Sequence, residues 1–384
     1  MTAADDLTAW LRLTLAPGVG PLTARQLLAA FGPPQQILQT APAALARVAG
    51  TAVASALLAA PDAARRDLIA RTVDWAAQPD HACIALDDAA YPRSLLDLPD
   101  PPPLLYAVGN TALLDGPRRL AMVGARNPTA QGERDAYAFA QAFSAAGVTI
   151  VSGFALGIDA AAHRGALAAA CPHPGSTIAV LGTGCDRVYP ARHRDLAHAV
   201  AEHGLLLSEF ALGTAAAKGN FPRRNRLISG LSRGVLVVEA ATHSGSLITA
   251  RLAAEQGRDV FAIPGSIHNP LAHGCHRLIR DGAKLVETAH DVLEEFGWQA
   301  PLPAANPEPA AHGHAGHTGD GGDGGQAPDC DVLRALGYDV RSFDELAART
   351  GWSADRLGAR LLDLELQGHV ARLPGGRFQR IARA

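Results

Sequence analysis

Five cations lie close to one aromatic side chain in the middle of this chain. They are Lys218, Arg223, Arg224, Arg226 and Arg233, and Phe221 lies among them. No Asp or Glu occurs between Ala211 and Val238, so the sequence predicts a positive patch on a chain of formal net charge -3. Cations that neutralise phosphates supply sequence-independent affinity for nucleic acid, and an aromatic ring offers a stacking face to an unpaired base. Asn225 adds a hydrogen-bond donor. The alternative is an ordinary solvated helix face.

Glycine, hydroxyl and cationic residues also follow four segments that are typical of buried strands. These loops are Gly124-Ala125-Arg126, Ser152-Gly153-Phe154, Gly182-Thr183-Gly184 and Thr242-His243-Ser244-Gly245-Ser246. Ligands of open α/β sheets bind beyond the carboxyl ends of the strands, so we expect one shared pocket. There Ser244 and Ser246 could donate to phosphate oxygens, and Arg126 could hold a phosphate through two hydrogen bonds. Taken singly, each loop is explained more simply as an ordinary strand–helix turn.

The elements that must position these loops alternate between Arg118 and Gly297. Predicted strands cover 120–123, 148–152, 177–181, 205–208, 235–239 and 259–263, and predicted helices cover 129–146, 159–170, 192–203 and 246–256. Repeated strand–helix units indicate an α/β fold with a Rossmann-like, doubly wound parallel sheet. The sequence assigns this Rossmann-like unit, which carries the predicted nucleic-acid site, to residues 79–298.

Shorter units are predicted before and after the sheet along the chain. Residues 1–78 are Ala-rich and predict a small helical domain, in which Pro17–Leu28 resembles a helix-hairpin-helix, or SAM-like, element. The glycines of this element either expose backbone N–H groups to phosphate or merely turn one helix onto the next. Residues 329–384 predict a winged helix: a capping box at Ser342–Glu345, a second helix from Ser353, and a hairpin near Gly375. Because Asp355, Asp363 and Glu365 offset Arg356 and Arg360 on the second helix, we expect protein contact or regulation and not duplex reading.

Residues 299–328 have the composition of a flexible linker. This segment has no Lys or Arg and only one large aliphatic residue, so it cannot bury enough apolar surface to offset its ordering entropy. His312, His314 and His317 within it could bind a metal, but incidental composition explains them more simply because nothing rigid surrounds them. We therefore expect no metal site.

The composition favours a protein of the reducing cytoplasm. The five cysteines are odd in number and form no C-x-x-C pair, so neither a disulfide framework nor a zinc knuckle is predicted. The first residues lack the features of a signal peptide, and no apolar run is long enough to cross a bilayer. We expect a protein that is not a membrane protein.

Two motifs resemble enzyme features but are incomplete. Gly182-Thr183-Gly184 looks like part of a dinucleotide fingerprint with Glu209 as the ribose acid, yet Arg187 occupies the position of the third glycine and the turn follows a third strand. Asp159 and His163 could form an acid/base or metal pair, but a capping Asp and a hydrogen-bonded His are the simpler interpretation. We expect no cofactor and no catalytic residue.

Taken together, the motifs resemble the DNA processing protein A family (DprA, also called Smf), over roughly Ala85 to Phe296. The matching segments, in family order, are Tyr91-Pro92, 101–106, Val123–Arg126, Val151–Asp159 with His163, Gly182–Gly184 with Tyr189-Pro190, Phe221–Arg226, Val238–Ala240, Ser244–Ser246 with Thr249, and Ile263–Gly265. At Phe154 and Leu156 many members of the family carry Leu and Arg instead, which removes one expected cation.

The resemblance implies a protein that binds single-stranded DNA, shields it from nucleases and loads the RecA recombinase onto it during natural transformation, as a homodimer. By motif match, Arg126 and the Arg224-Asn225-Arg226 trio are DNA-binding residues. The full predicted DNA-binding set is Gly124, Arg126, Gly153, Phe154, Lys218, Phe221, Arg223, Arg224, Asn225, Arg226, Ser244, Gly245 and Ser246. The alternative is a nucleotide phosphoribohydrolase on a related fold, with Glu239 or Glu209 as its catalytic carboxylate.

Overall fold

A computed structural model of the protein describes residues 3–169, 175–298, 331–337 and 340–381. The predicted linker at 299–328, with its three histidines, lies outside these ranges. Within them, no helix is both long and apolar enough to cross a membrane. The same described part of the chain contains no group of three or more His, Cys, Asp or Glu side chains arranged to hold a metal ion.

Six helices form the N-terminal part of the described chain. They are α1 (Ala3–Thr14), α2 (Pro21–Phe31), α3 (Pro34–Ile37), α4 (Pro42–Ala49), α5 (Thr51–Leu58) and α6 (Ala63–Ala76). Pro21 occupies the first position of α2, where its missing N–H costs nothing, and the preceding turn contains Gly18 at φ 81°. Arg25 of α2 donates to the carbonyl oxygens of Leu98 and Pro99 at 3.1 and 3.0 Å. The helical part is therefore tied to the segment that leads into the sheet.

The centre of the molecule is one nine-stranded sheet. Its strands are β1 (His81–Ala85), β2 (Leu104–Gly109), β3 (Arg119–Val123), β4 (Thr149–Ser152), β5 (Thr177–Val180), β6 (Leu205–Ser208), β7 (Gly234–Val237), β8 (Asp259–Ala262) and β9 (Lys284–Leu285). The strand order is β1-β2-β6-β5-β4-β3-β7-β8-β9. Pairing is parallel from β6 through β9, whereas β2 pairs antiparallel with β6 and β1 pairs antiparallel with β2.

Helices cover both faces of the sheet. They are α7 (Ala130–Ala145), α8 (Ile158–Leu167), α9 (Arg194–His203), α10 (Asn220–Gly230), α11 (Ser246–Glu255), α12 (His273–Arg280) and α13 (Ala289–Glu295). Alternate residues of a strand point to opposite faces, so Met122 packs with Phe143 of α7 while Val123 packs with Leu227 of α10. The predicted doubly wound α/β fold is confirmed.

The N-terminal helices share a core with the two antiparallel strands. Trp10 of α1 and Trp75 of α6 lie in one cluster of buried side chains with Leu104 and Tyr106 of β2. The ring centroids of Trp75 and Tyr106 are 6.2 Å apart. Because β2 in turn pairs with β6, the helical part and the parallel sheet are joined through continuous packing.

The C-terminal elements form a winged helix, as predicted. They are α14 (Asp331–Leu336), β10 (Arg341–Ser342), α15 (Phe343–Thr350), α16 (Ala354–Leu366), β11 (Val370–Leu373) and β12 (Arg377–Arg380). The capping box is present, since Ser342 and Glu345 exchange side-chain-to-backbone hydrogen bonds at the start of α15. The exposed face of α16 carries two leucines, Leu362 and Leu366.

Candidate nucleic-acid interface

The loops at the carboxyl ends of the parallel strands converge on a cavity of about 530 Å³. Predicted site residues that line this strand-end cavity are Gly124, Arg126, Phe221, Arg224, Asn225, Ser244, Gly245 and Ser246. A smaller neighbouring cavity of about 60 Å³ adds Gly153 and Phe154. The expected single pocket is therefore divided into two neighbouring cavities. The loops that follow β3 and β7 line the larger one together with α10, and the predicted loops that follow β4 and β5 line the smaller one, the latter through Gly182 and Thr183. Lys218, Arg223 and Arg226 line neither cavity.

Phe221 lies half-buried where these cavities meet. Its ring lies against the backbone just after β5, because a Cβ at Gly182 would come within 2.8 Å of the ring. The side-chain amide of Asn220 donates to the carbonyl oxygen of Gly182 at 3.0 Å and fixes the start of α10 there. The guanidinium of Arg126, an exposed side chain, lies 5.7 Å from the centroid of the Phe221 ring. A cation and a partly exposed aromatic face are thus presented together at the cavity mouth.

Arg224 is buried beneath this surface and supports it. Its guanidinium donates to the carbonyl oxygens of Gly153 and Val180, at the ends of β4 and β5. A Cβ at Gly153 would meet that guanidinium at 2.8 Å, so only glycine leaves room for it. Burial lowers the pKa of Arg224 to about 10, and the nearby carboxylate of Asp159 opposes the shift. Arg224 therefore joins α10 to the sheet, although it also borders both cavities.

The expectation of a patch without counter-charge is wrong, because distant acids meet these arginines. The buried carboxylate of Glu209, directly after β6, accepts from Arg226 at 2.7 Å and from Arg223 at 3.0 Å. Arg226 also forms an ion pair with Asp100 at 3.0 Å, and its side chain is only 9% exposed. An unpaired buried charge is costly, so Arg226 faces these acids and not the solvent. Arg223 stays half-exposed and lies over the Phe210 ring at 5.3 Å.

Phe154 does not present its ring to solvent. It is 2% exposed, and its centroid lies 5.7 Å from the His163 ring and 5.3 Å from the His193 ring. Its φ of 60° is unusual for a residue with a Cβ and turns the chain away from the end of β4. Apolar packing with α8 and α9 explains this position, so any ligand contact from this loop comes through the backbone and Gly153.

The remaining predicted residues differ in their accessibility. Lys218 is exposed in the turn before α10, and Asn225 is half-buried with its side-chain oxygen 3.3 Å from Arg224 Nε. The hydroxyls of Ser244 and Ser246 lie 2.6 Å apart at the start of α11, where backbone N–H groups favour an anion. Asn127, His243 and Thr249 also line the strand-end cavity, although the sequence did not single them out as ligands.

Both carboxylates considered for hydrolysis are already engaged. Glu239 accepts from the Thr129 backbone N–H at 2.8 Å and from the Thr129 hydroxyl at 2.6 Å, which fixes the start of α7. Burial raises the pKa of Glu239, and the hydrogen bonds from Thr129 oppose that shift. Glu209 is held by two arginines. Neither acid lines the strand-end cavity.

Asp159 and His163 serve separate structural contacts. The Thr177 hydroxyl donates to the carbonyl oxygen of Ile150, so it accepts from His163 Nδ1 at 2.7 Å. Asp159 accepts from the Ala155 backbone N–H at 3.1 Å and faces Arg224. Burial raises the pKa of Asp159 and lowers that of His163 to about 3. Asp159 also lines the strand-end cavity, whereas His163 does not.

Sequence profiles of two known families match the chain. The profile of the DNA recombination-mediator protein A family matches residues 82–297, and that of the DprA winged helix domain matches residues 320–376. Among curated relatives, the chain is 43% identical to Protein Smf of Escherichia coli over 83% of this chain and 82% of that protein. It is 48% identical to DNA processing protein DprA of Streptococcus pneumoniae over 55% of this chain and 72% of that one.

Solved structures lead to the same family. The X-ray structure of DprA from Streptococcus pneumoniae matches with a TM-score of 0.63 and 38% identity, covering 74% of this chain and 95% of that one. A structure of DNA processing protein A from Helicobacter pylori, described for its single-stranded DNA binding mode, matches with a TM-score of 0.50 and 32% identity, covering 56% of this chain and 95% of that one. On its sheet, its winged helix and these similarities, the chain belongs to the DNA recombination-mediator protein A family, also called DprA or Smf.

Proposed function

We propose that this protein binds single-stranded DNA at the strand-end cavity, protects it from nucleases and loads the RecA recombinase onto it in natural transformation and recombination. The observation that carries the proposal is the placement of exposed Arg126 over the half-buried Phe221 ring at the cavity mouth. Such a pair binds a backbone phosphate and an unpaired base together, whereas a paired base offers no free face. The single-stranded DNA binding described for the Helicobacter pylori relative supports this choice.

The proposed site divides into contacting and supporting side chains. Arg126, Lys218 and Arg223 are exposed and neutralise phosphates, Phe221 stacks on a base, and Asn225 donates a hydrogen bond. Gly124, Gly153 and the Ser244–Ser246 turn allow the backbone to approach phosphate oxygens closely. The buried arginines Arg224 and Arg226 hold α10 in position, and Phe154 packs beneath the loop.

The role we propose is binding without catalysis, in the cytoplasm, by a homodimer. RecA loading and dimerisation come from the family resemblance, and we assign no surface to either. The strand-end cavity, at about 530 Å³, would also hold a mononucleotide, so hydrolysis of a nucleotide is the outcome that would replace this proposal.

A mobility-shift experiment with full-length protein tests the binding proposal. Single-stranded oligothymidylate, duplex DNA of equal length and free mononucleotides are compared at matched salt, and product analysis scores any release of base. We expect preference for the single strand. If three exposed cations each neutralise one phosphate, log K falls against log salt with a slope near -2, using about 0.7 per phosphate. Preference for duplex, nucleotide hydrolysis or a slope near zero would contradict the proposal.

RecA loading needs its own assay. RecA filament assembly is followed on single-stranded DNA already covered by a single-strand-binding protein, with and without this protein. We expect faster assembly with the parent protein and little stimulation by Arg126→Ala. An equal rate with and without the parent protein would remove RecA loading from the proposed function and leave DNA binding intact.

A further inference from the structure

Tyr189 is a large aromatic side chain left half-exposed beside Phe221. Its side chain is 51% exposed, and its ring centroid lies 5.6 Å from that of Phe221, with 38° between the ring planes. It belongs to none of the clusters of buried apolar side chains in the described chain. An exposed aromatic ring beside a binding cavity is characteristic of an interface, because its apolar body gains from burial by a partner.

The loop that carries Tyr189 is held by a set of hydrogen bonds. The Gly184 backbone N–H donates to the carbonyl oxygen of Thr214 at 3.0 Å, and the Asp186 carboxylate accepts from the Gly213 backbone N–H at 2.9 Å. Within the loop, the Thr183 hydroxyl donates to the carbonyl oxygen of Arg187 at 3.0 Å. The backbone of the 183–187 segment that leads to Tyr189 is therefore held in place before any ligand arrives, which reduces the entropy cost of ordering this loop on binding.

Tyr189 and Phe221 together form a stepped aromatic surface. Both line the smaller cavity with Arg126, whose guanidinium lies over the Phe221 ring. The rings are too close to admit a base between them, because a base in a sandwich needs about 3.4 Å on each side, the spacing of stacked bases. Each ring instead offers its own face, and neighbouring bases of one strand can cover one ring each.

Cations flank Tyr189 as they flank Phe221. Arg187 and Arg192 lie two and three residues away along the chain, and both are exposed. Cations near an aromatic residue are the same combination that, around Phe221, predicts neutralisation of backbone phosphates together with stacking of a base. The chemistry around Tyr189 therefore matches a second nucleotide position.

We propose that Tyr189 forms a second base-stacking subsite, which takes a nucleotide neighbouring the one on Phe221 and extends the single-stranded DNA path along the 184–190 loop. This inference rests on the proposed function, since it assigns a further nucleotide to the same interface. The ligand chemistry is an unpaired base on a flexible phosphate backbone. The phenol hydroxyl is not required, because the contact is made by the ring.

The experiment uses full-length protein and two single strands of equal length, oligothymidylate and an abasic strand with the same number of phosphates. Tyr189→Ala should bind oligothymidylate about 5- to 140-fold more weakly than the parent, the range of one lost base–aromatic stack. Its affinity for the abasic strand should equal that of the parent, since no phosphate contact is removed. Tyr189→Phe should bind both strands as the parent does.

A matched control and a fold check complete the experiment. Tyr137→Ala removes another exposed tyrosine, 37% exposed on α7 and lining neither cavity, and should bind both strands as the parent does. The melting temperature of each variant is measured in parallel, so that affinities refer to folded protein. Tyr189→Phe, which keeps the ring, should preserve binding even if Tyr189→Ala is partly unfolded.

Four results would overturn the inference. If Tyr189→Ala binds oligothymidylate like the parent while Phe221→Ala is weakened, the second subsite is absent and the proposed function stands. If Tyr189→Ala loses equal affinity for both strands, the side chain acts through the loop and not through a base. If Tyr189→Phe is as weak as Tyr189→Ala, the hydroxyl and not the ring carries the contact. If the parent protein does not prefer oligothymidylate over duplex, the proposed function fails and the inference fails with it.

Discussion

Replacing Arg226 by alanine should lower the free energy of unfolding by more than it lowers the free energy of single-stranded DNA binding. The substitution removes the partner that lies 2.7 Å from the buried carboxylate of Glu209 and 3.0 Å from Asp100. Removing one member of a buried ion pair typically costs 3–5 kcal/mol, and Glu209 keeps Arg223, so we expect the lower end, about 3 kcal/mol. For a unit of this size that corresponds to a fall in melting temperature of roughly 6–12 °C.

The pH dependence gives this prediction a second readout. Burial raises the pKa of Glu209 in the folded protein, and Arg226 opposes that shift. Without Arg226 the pKa rises further, so the ionised carboxylate disfavours folding most at high pH and is relieved by protonation as the pH falls. The difference in unfolding free energy between parent and Arg226→Ala should therefore shrink on moving from pH 8 toward acid.

Arg126→Ala is the matched comparison, because this exposed side chain faces the cavity. It should change the unfolding free energy by no more than about 0.5 kcal/mol, while the salt slope of single-strand binding should become shallower by about 0.7. Arg71→Ala, on an exposed face of α6, should alter neither quantity. The assays are thermal melting at several pH values and single-strand binding at several salt concentrations. If Arg226→Ala melts like the parent but loses as much affinity as Arg126→Ala, our division of the arginines is wrong.

Three further outcomes are expected. Gly182→Ala should weaken single-strand binding, because its Cβ would come within 2.8 Å of the Phe221 ring, whereas Gly219→Ala meets nothing within 4 Å and should bind normally. The pKa of His163 is about 3 in the folded protein and 6.5 as a free side chain, so its contribution to the free energy of unfolding is present above pH 6.5 and lost toward pH 3. Unfolding titrations should show this loss with a slope of at most about 1.4 kcal/mol per pH unit, and the slope should be absent in His163→Gln. A chain ending at Trp298 should bind single-stranded DNA within tenfold of the full protein, about 1.4 kcal/mol; a larger loss would place the winged helix in the main binding surface.

The parallel sheet was predictable because its strands are short and apolar and are followed by loops that contain glycine. Observed strands such as β5 and β6 agree with the predicted ranges to within a residue or two, and the predicted helix at 246–256 corresponds to α11. Strands β1 and β2 were not predicted, since a single antiparallel pair joining helices to a sheet leaves no repeating pattern. Two-residue β9 is too short to show any period. The domain boundaries at 78, 298 and 328 stay predictions.

The composition of the site was predictable, but the direction of its side chains was not. Local sequence places Arg223, Arg224 and Arg226 in one cationic run, whereas the acids that pair with Arg226 are Glu209 and Asp100, which are distant along the chain. Only tertiary structure reveals such counter-charges. Tyr189 illustrates the opposite case, because its motif was recognised but a Tyr-Pro pair alone does not indicate an exposed ring beside Phe221.

The shared packing of Trp75 and Tyr106 makes the N-terminal helices an integral layer of the molecule. Local opening of α6 would uncover one side of β2 and weaken its pairing with β6, so the backbone amides of these elements should exchange with deuterium as one cooperative group. A fragment beginning at β1 would expose Leu104 and Tyr106 beside an unprotected strand edge, a combination that promotes association between sheets. The helical layer therefore covers β1 and β2 at one edge of the sheet. The carboxyl ends of the parallel strands, where the strand-end cavity lies, stay uncovered.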